Sequence, residues 1–287
     1  MKKLVCFLML FASVQLQASV RHYSASIESS VWSITAPNRL QCQLSHDLPG
    51  YGKAVFTSVA SKQLNMDFTL QMLRLPKDYR MAAVYSVPPQ WMPGEMQKPI
   101  ADMSIRKQFD GDLPERAAWT MLSELEKGYW PTIYYQDWYS RFDSVSVALN
   151  AANFSFPYES FVNCVSNLLP FSFEDIAYTV LTYEKNSVDL TKSAKKKLDM
   201  IGEYLREDTD LELILLDGYT DSYGGKYSNE QLSIKRANEI KMFFEKMGVD
   251  SNRIAVTGHG ERRHIAPNDN SFTRAKNRRV VIRMQKT

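Results

Sequence analysis

Beyond its first twenty residues, the sequence contains no stretch long and apolar enough to cross a membrane. The leading apolar run, Leu4 to Val14, is itself shorter than the ~20 residues a spanning helix needs. A strong charge of either sign is also missing. Thirty-five Lys and Arg against 32 Asp and Glu leave a formal +3, too little for bulk attraction to nucleic acid or anionic lipid. No internal repeat or low-complexity tract is present. Neither a G-x-S-x-G elbow, an H-E-x-x-H helix nor a C-x-x-C pair occurs. Gly224-Gly225 is followed by Lys226-Tyr227, which makes no phosphate loop. His259 and His264 flank Glu261, but the turn Gly258-His259-Gly260-Glu261 has no common ligand spacing. No metal and no cofactor are expected, and no catalytic set of nucleophile, metal or paired carboxylates is visible.

What is present begins with export. MKKLVCFLMLFASVQLQA combines a basic start, an apolar run and a small Ala18 before Ser19, so residues 1–18 are expected to be a signal peptide. Cys6 lies inside the apolar region and away from the cleavage point, which argues against a lipid anchor. Its removal leaves Cys42 and Cys164, an even pair in an oxidising compartment, and predicts a disulfide. Cys42 sits on the apolar face of Leu40-Gln41-Cys42-Gln43-Leu44. Cys164 shares a helical stripe with Phe161, Val165 and Leu168. A loop this long gives about 3–5 kcal/mol in the chain-entropy model.

Residues 19–169 read as a mainly antiparallel β domain, barrel-like, with a few helices. Leu64, Met66, Phe68, Leu70 and Met72 alternate as in a half-buried strand. Lys53 to Ser61 is the expected partner, after the turn Pro49-Gly50-Tyr51-Gly52. Further strands are expected near Val31–Ile34, Tyr79–Ser86, Ala101–Gln108 and Ser144–Leu149. A helix is expected from Pro114 to before Gly128, and a short one over Tyr158–Asn167. Fifteen Tyr and five Trp supply both core and surface. The segment Tyr129 to Tyr139 carries six of these rings and reads either as a core strand or as a docking surface. The Pro-rich run Pro88 to Gly94 reads as a loop presenting Trp91 and Met92.

Residues 170–287 read as an α+β domain with the order β-α-β-α-β-β. A strand at Tyr178–Tyr183 precedes a helix from about Thr191, with Ala194, Leu198, Ile201 and Leu205 facing inward. Lys195-Lys196-Lys197 then lie on its solvated face. The apolar run Leu211 to Leu216 is a buried strand. After it come Thr220, Asp221 and a glycine pair, then a helix expected to start at Ser228 with Gln231 completing a capping box. Leu232, Ala237, Ile240, Phe244 and Met247 mark its inner face, and Gly248 its left-handed stop. Strands at Ile254–Thr257 and Val280–Met284 complete the domain. Asp221 just past the strand and Arg236 on the helix bring opposite charges together. They could be a structural ion pair, or they could hold a zwitterion, ammonium to Asp221 and carboxylate to Arg236 in a forked pair.

Gly218-x-Thr220-Asp221, Gly224, Asn229, Leu232-Ser233, Arg236-Ala237 and Asn277-Arg278-Arg279-Val280 resemble the OmpA-like peptidoglycan-binding domain, in order and spacing. The resemblance spans about Ala177 to Met284. It implies a sandwich fold and a site in which Asp221 and Arg236 hold the diaminopimelate of the wall's stem peptide, with Asn229 and Thr220 shaping the loop. It also implies a periplasmic location. The pattern departs at Tyr219, where the family usually has His; a flat ring with a polar tip is kept, and binding is expected to persist.

The whole chain, including SVWSITAPNRLQCQLSH and QDWYSRFDSVSVALNAANF, resembles the MotY family of sodium-driven polar flagellar motors. The resemblance implies a non-enzymatic periplasmic protein that joins a MotX-like protein in the T ring of the basal body. There it would bind peptidoglycan and help recruit and retain PomA/PomB-like stator units, directly or indirectly. Two other readings stand beside it. One is a general envelope linker like the Pal lipoproteins, which normally carry a lipid on a mature N-terminal Cys. The other is a wall-remodelling enzyme.

Overall fold

The computed structural model describes residues 19–140, 142–184, 187–208 and 213–286. The expected signal peptide with Cys6, and the first two residues of the run Leu211 to Leu216, lie outside these. The chain divides into two compact units. Of the described residues, one unit takes those up to Thr35 with Gln43–Ser58 and Asn65–Asn163, and the other Ala36–Cys42, Val59–Leu64 and those from Cys164 onward.

The N-terminal part is built from ten strands and two helices. They follow as β1 (Val20–Tyr23), β2 (Trp32–Asn38), β3 (Gln41–Leu48), β4 (Gly52–Val59), β5 (Asp67–Met72), β6 (Arg80–Val87), β7 (Lys98–Ile105), β8 (Gly111–Leu113), α1 (Glu115–Glu126), β9 (Trp130–Gln136), β10 (Ser144–Ala148) and α2 (Ser155–Ser166). Two five-stranded sheets result, ordered β1-β10-β9-β6-β7 and β2-β3-β4-β5-β8. Pairing is antiparallel between β4 and β5, β5 and β8, β6 and β7, β6 and β9, and β9 and β10; β1 runs parallel to β10. The domain is therefore mainly antiparallel β, as the alternation implies.

Side-chain period sets which faces are buried. In β5, Phe68, Leu70 and Met72 are buried while Asp67 and Gln71 are exposed. Phe56 of β4 stands opposite Phe68, their rings 5.0 Å apart. Met66, just ahead of the strand, is buried too, but Leu64 is exposed, so the inward alternation begins at Met66 and not at Leu64. Helix α1 starts one residue after Pro114, which takes the cap position rather than the first turn, and buries Ala117, Ala118, Met121, Leu122 and Leu125. Helix α2 starts three residues before the expected Tyr158, at Ser155. The aromatic segment is only partly interior: β9 is flanked by β10 and β6 and Pro131, Thr132, Ile133 and Tyr135 are buried, but Tyr129, Trp130, Tyr134 and Trp138 are half-buried. Tyr139 is exposed, as is Trp91 in the loop before β7.

A buried histidine gives this part a pH-dependent stability. His46 is fully buried, lies 4.4 Å from the Trp32 ring and hydrogen-bonds the Ser30 hydroxyl through Nε2 at 3.0 Å. Its Nδ1 has no partner among the described residues. Burial pushes its pKa down from 6.5 to about 4. The unfolded chain takes up a proton that the folded chain refuses. Stability contributed by the neutral ring is thus present above about pH 6.5 and is lost as pH falls toward about 4, at up to about 1.4 kcal/mol per unit. We expect the His46 ring resonances in NMR to stay in their neutral positions down to pH 5, well below the ordinary histidine range. A midpoint near 6.5 would contradict this.

The C-terminal part continues as α3 (Phe173–Ile176), β11 (Tyr178–Thr182), α4 (Lys192–Glu207), β12 (Leu213–Tyr219), α5 (Lys226–Lys246), β13 (Ile254–Gly258), α6 (Ser271–Asn277) and β14 (Arg279–Gln285). Its sheet runs β11-β14-β12-β13, with β12 parallel to β13 and the other pairs antiparallel. Thr191 caps α4 by accepting from the Ala194 amide at 3.2 Å, and Ala194, Leu198, Ile201 and Leu205 are buried. Lys195, Lys196 and Lys197 are exposed. These apolar residues join Ile214, Leu216, Ala237, Ile240, Phe244, Val280 and Ile282 in one core. The order is the expected one with two short α-helices added, α3 before the first strand and α6 before the last.

Helix α5 departs from expectation at its start. It begins at Lys226 after the cap Gly225, and no side chain caps it, so the Ser228–Gln231 box does not form. Ser228 lies inside the first turn, three positions past the cap Gly225. The helix ends at Lys246, and Gly248 takes the left-handed conformation with φ +93°.

A disulfide joins Cys42 to Cys164. Cys42 is fully buried on β3, whereas Cys164 on α2 is half-buried, with Val165 and Leu168. Both cysteines belong to the second unit. The Ala36–Cys42 segment is also fastened there by Leu169 N–H to the Arg39 carbonyl at 3.0 Å and by the Asn38 amide to the Glu207 carbonyl at 3.1 Å.

Candidate functional site

A cleft of about 520 Å³ lies where β12 ends and α5 begins, lined by Thr220, Asp221, Asn229, Leu232, Arg236 and Arg278 among others. Close packing of strand and helix forms it. A Cβ on Gly218 would lie 2.1 Å from the Ser233 carbonyl oxygen, so glycine is required there for α5 to approach β12. Beyond the strand, the Thr220 amide donates to the Gly260 carbonyl at 2.8 Å. That bond holds the chain so that the next residue, Asp221, enters the cleft.

Asp221 is paired, but not with Arg236. Its Oδ1 accepts the Tyr223 amide at 3.1 Å and its Oδ2 accepts Arg278 Nη1 at 2.9 Å. The strand register explains the partner. Tyr219 of β12 stands opposite Arg279 of β14, which brings Arg278 next to the residues just past β12. The sequence reading named Arg278 only within its motif; β-pairing of the two strands carries the signal, and that pairing is long-range.

Arg236 comes from the third turn of α5 and is buried, 3 % exposed. Its guanidinium carbon lies 4.4 Å from the Tyr183 ring centroid, and Nη2 donates to the Ser187 carbonyl at 3.2 Å. Nε and Nη1 have no partner among the described residues. Burial pulls its pKa down from the usual arginine value, with Tyr183 and Asp221 opposing and Arg278 assisting; an arginine stays charged regardless. The structural ion pair between Asp221 and Arg236 is therefore not formed. The two residues face one cleft with the guanidinium's bonding capacity largely unused.

Asn229 and Thr220 also line this cleft. The Asn229 amide donates to Glu261 Oε2 at 3.0 Å, and the Thr220 hydroxyl is buried without a partner among the described residues. Arg274 lines the cleft too and donates to the Asn268 carbonyl at 2.9 Å. Three arginines against Asp221 leave the cleft cationic. The loop ahead of α6 is pinned by buried Asn277, whose Oδ1 accepts the Ile265 and Ala266 amides and whose Nδ2 donates to the Ala266 carbonyl at 2.8 Å.

Tyr219 does not line the cleft. It packs between the Arg279 guanidinium, 3.9 Å from its centroid, and the His259 ring, stacked at 4.7 Å. His259 Nε2 hydrogen-bonds Asp217 Oδ1 at 2.8 Å, and Arg283 pairs with the other oxygen. Burial raises the Asp217 pKa, but the bonds from His259 and Arg283 outweigh it and hold the carboxyl below its ordinary range. Glu261 pairs with Asn229, and His264 meets Asn268 at 2.9 Å. Among the described residues no group of three or more His, Cys, Asp or Glu side chains could hold a metal ion.

Fold and cleft define a chain with a wall-binding type of domain at its C-terminal end. The OmpA family matches residues 182–278. Outer membrane protein A of Bordetella avium is 37% identical over 37% of this chain and 53% of its own length. A solved peptidoglycan-associated lipoprotein from Burkholderia pseudomallei is 23% identical, covering 37% of this chain and 89% of that one with a TM-score of 0.34. The β-rich part is matched over residues 23–170 by the MotY N-terminal domain family. Over 93% of this chain and 91% of the relative's, the sequence is 44% identical to the sodium-type flagellar protein MotY of Vibrio parahaemolyticus. The chain belongs to the MotY family. Among its described residues no helix is long and apolar enough to cross a membrane.

Proposed function

We propose that the chain is a non-enzymatic flagellar motor protein of the periplasm that fixes the motor to peptidoglycan. Residues 1–18 direct export, residues 19–169 associate with the basal body, and residues 170–287 bind the wall. The observation that carries the wall-binding part is the buried Arg236 guanidinium, whose Nε and Nη1 have no partner among the described residues, in one cleft with Asp221. Such a pair takes a carboxylate and an ammonium from one ligand, as the diaminopimelate of a stem peptide presents them. Asp221 keeps lone pairs for an ammonium because, among the described residues, each oxygen accepts a single hydrogen bond, from Tyr223 and Arg278. Thr220 and Asn229 shape the rim, and the surplus of arginine suits a peptide richer in carboxylates than in ammonium groups.

On this reading the protein joins a MotX-like partner in the T ring, and wall attachment lets PomA/PomB-like stator units push against a stiff support. One site can be weak, because copies in a ring gain by multivalency. The test is a deletion strain carrying a fluorescent stator subunit. Loss of swimming and of polar stator spots with normal cell shape, restored by the gene, is the expected result. Normal swimming with normal spots would instead favour a general link between wall and envelope, and muropeptide release by the purified protein would favour an enzyme.

A further inference from the structure

The β-rich domain carries a recess that wall binding does not use. A cavity of about 280 Å³ is walled by Tyr23, Tyr51, Tyr135 and Trp138. The Tyr51 and Tyr135 hydroxyls are 3.1 Å apart, and Trp138 stacks on Tyr135 at 5.0 Å with an interplanar angle of 4°. Arg21 and the buried Asp137 form an ion pair in the lining. The Trp138 Nε1 donor is buried and has no partner among the described residues. The recess is thus walled by aromatic rings with polar groups among them, and of a size for one side chain.

Two further hollows adjoin it. Leu73 is shared with a hollow of about 360 Å³ reaching Gly52 and Asp110. Tyr139 is shared with an open one bordered by Leu75, Lys77 and Lys107. Leu73, Leu75 and Tyr139 are 73%, 43% and 50% exposed, an apolar rim with nothing covering it among the described residues. Cations outnumber anions around this rim: Arg21, Lys53, Arg74, Lys77 and Lys107 line the three hollows against Asp137 and Asp110. Among the described residues no ion pair involves Arg74, Lys77 or Lys107, and Lys77 rests 4.3 Å over the Tyr139 ring. Asp137 is paired with Arg21, and Asp110 accepts the Met72 amide.

We infer that this face docks an extended acidic segment of a partner polypeptide, which places an apolar or aromatic side chain in the recess and carboxylates against Arg74, Lys77 and Lys107. The observation that points to an acidic partner is charge complementarity around an exposed apolar rim. A series of hollows bordering a side-chain-sized recess suits a chain in extended form better than a flat lipid surface. The inference rests on the proposed role of residues 19–169 in basal-body association, and names the surface for it.

The test places a photo-crosslinking benzoylphenylalanine at Leu73 in the full-length protein, expressed in the deletion strain, with Phe156, 79% exposed, as the control position. The adduct is identified by peptide sequencing in a mass spectrometer. The expected adduct is to another polypeptide, at an apolar residue flanked by Asp or Glu. Changing Arg74, Lys77 and Lys107 to Glu together should cut its yield about fivefold or more, with pelleting on peptidoglycan sacculi unchanged. A yield at Leu73 no higher than at Phe156, a basic target segment, a lipid adduct or a cross-link to a second copy of the chain would each overturn the inference. Normal swimming of the deletion strain would overturn the motor reading itself, whatever the cross-links show.

Discussion

Changing Arg236 to Met should abolish most wall binding while leaving the protein as stable as before, or more so. The guanidinium is buried, leaves Nε and Nη1 without partners among the described residues and forms no ion pair there. Burying a charge without full compensation costs several kcal/mol. Met keeps the apolar stem against Tyr183 and removes that cost. What is lost is the forked hydrogen bond to a ligand carboxylate, about 1.5–3 kcal/mol, or about 10- to 150-fold in affinity. Pelleting with purified sacculi measures the first effect and thermal melting the second. Arg236→Lys should bind between the two, because a point charge replaces a planar fork.

Asp221→Ala gives the contrasting result. It too should weaken sacculus binding, but it strips buried Arg278 of its carboxylate, and breaking a buried pair costs about 3–5 kcal/mol. The domain should still fold, at a lower melting temperature. Loss of binding with opposite stability changes is the signature of a cleft in which Asp221 is held by the fold and Arg236 is held open for a ligand. Unchanged pelleting of both variants would sink the assignment of these two residues.

The features legible in the sequence were those set by local pattern. Alternation exposed β5, and helical spacing with a Thr cap exposed α4 and its inner face. The sequence also brought Asp221 and Arg236 forward, because a strand-loop-helix unit places them around one turn, and the resemblance to the OmpA-like domain added Thr220 and Asn229. The ion-pair partner of Asp221 was not legible, since Arg278 is 57 residues away and reaches it only through the β12–β14 register. The same applies to Tyr183 and Ser187, which contact Arg236 from the other side of α4 in the chain. The start of α5 was misread because Ser228 and Gln231 have the spacing of a capping box, whereas the chain turns into the helix earlier, at Gly225. Tyr219 stands where the resembled family usually has His, a departure whose place in the structure the motif alone does not give. Its side chain packs between Arg279 and His259, following the alternation of a strand rather than the course of the loop.

Reducing the Cys42–Cys164 disulfide should produce the largest loss of stability of any single chemical change in the chain. The bridged residues are 122 apart in sequence, and closing a loop of that size is worth about 5 kcal/mol in the chain-entropy model. A typical domain is stable by only about 5–15 kcal/mol. Fully buried Cys42 can remain in place as a small apolar side chain after reduction, so a urea melt with and without reductant isolates the cross-link from packing. Cys42→Ala adds a cavity to the same loss and should unfold at still lower urea, whereas Cys164→Ala, at a half-buried site, should match the reduced wild type. The remaining ties of Ala36–Cys42 to the rest of its unit are hydrogen bonds of Asn38, Arg39 and Leu40 with Glu207, Asn167, Leu169 and Ala60, and the Arg39–Glu203 ion pair at 2.6 Å. The ion pair joins side chains 46% and 35% exposed, and surface pairs of that kind contribute little. Loss of the bridge should therefore free this segment first, seen as early amide exchange at Asn38 to Gln41, before the core around Leu198, Ile214 and Phe244 opens. Alkylation of non-reduced protein should add no mass at either cysteine. Two alkylated thiols would reject the pairing, and equal melts with and without reductant would show that the loop is held by packing alone.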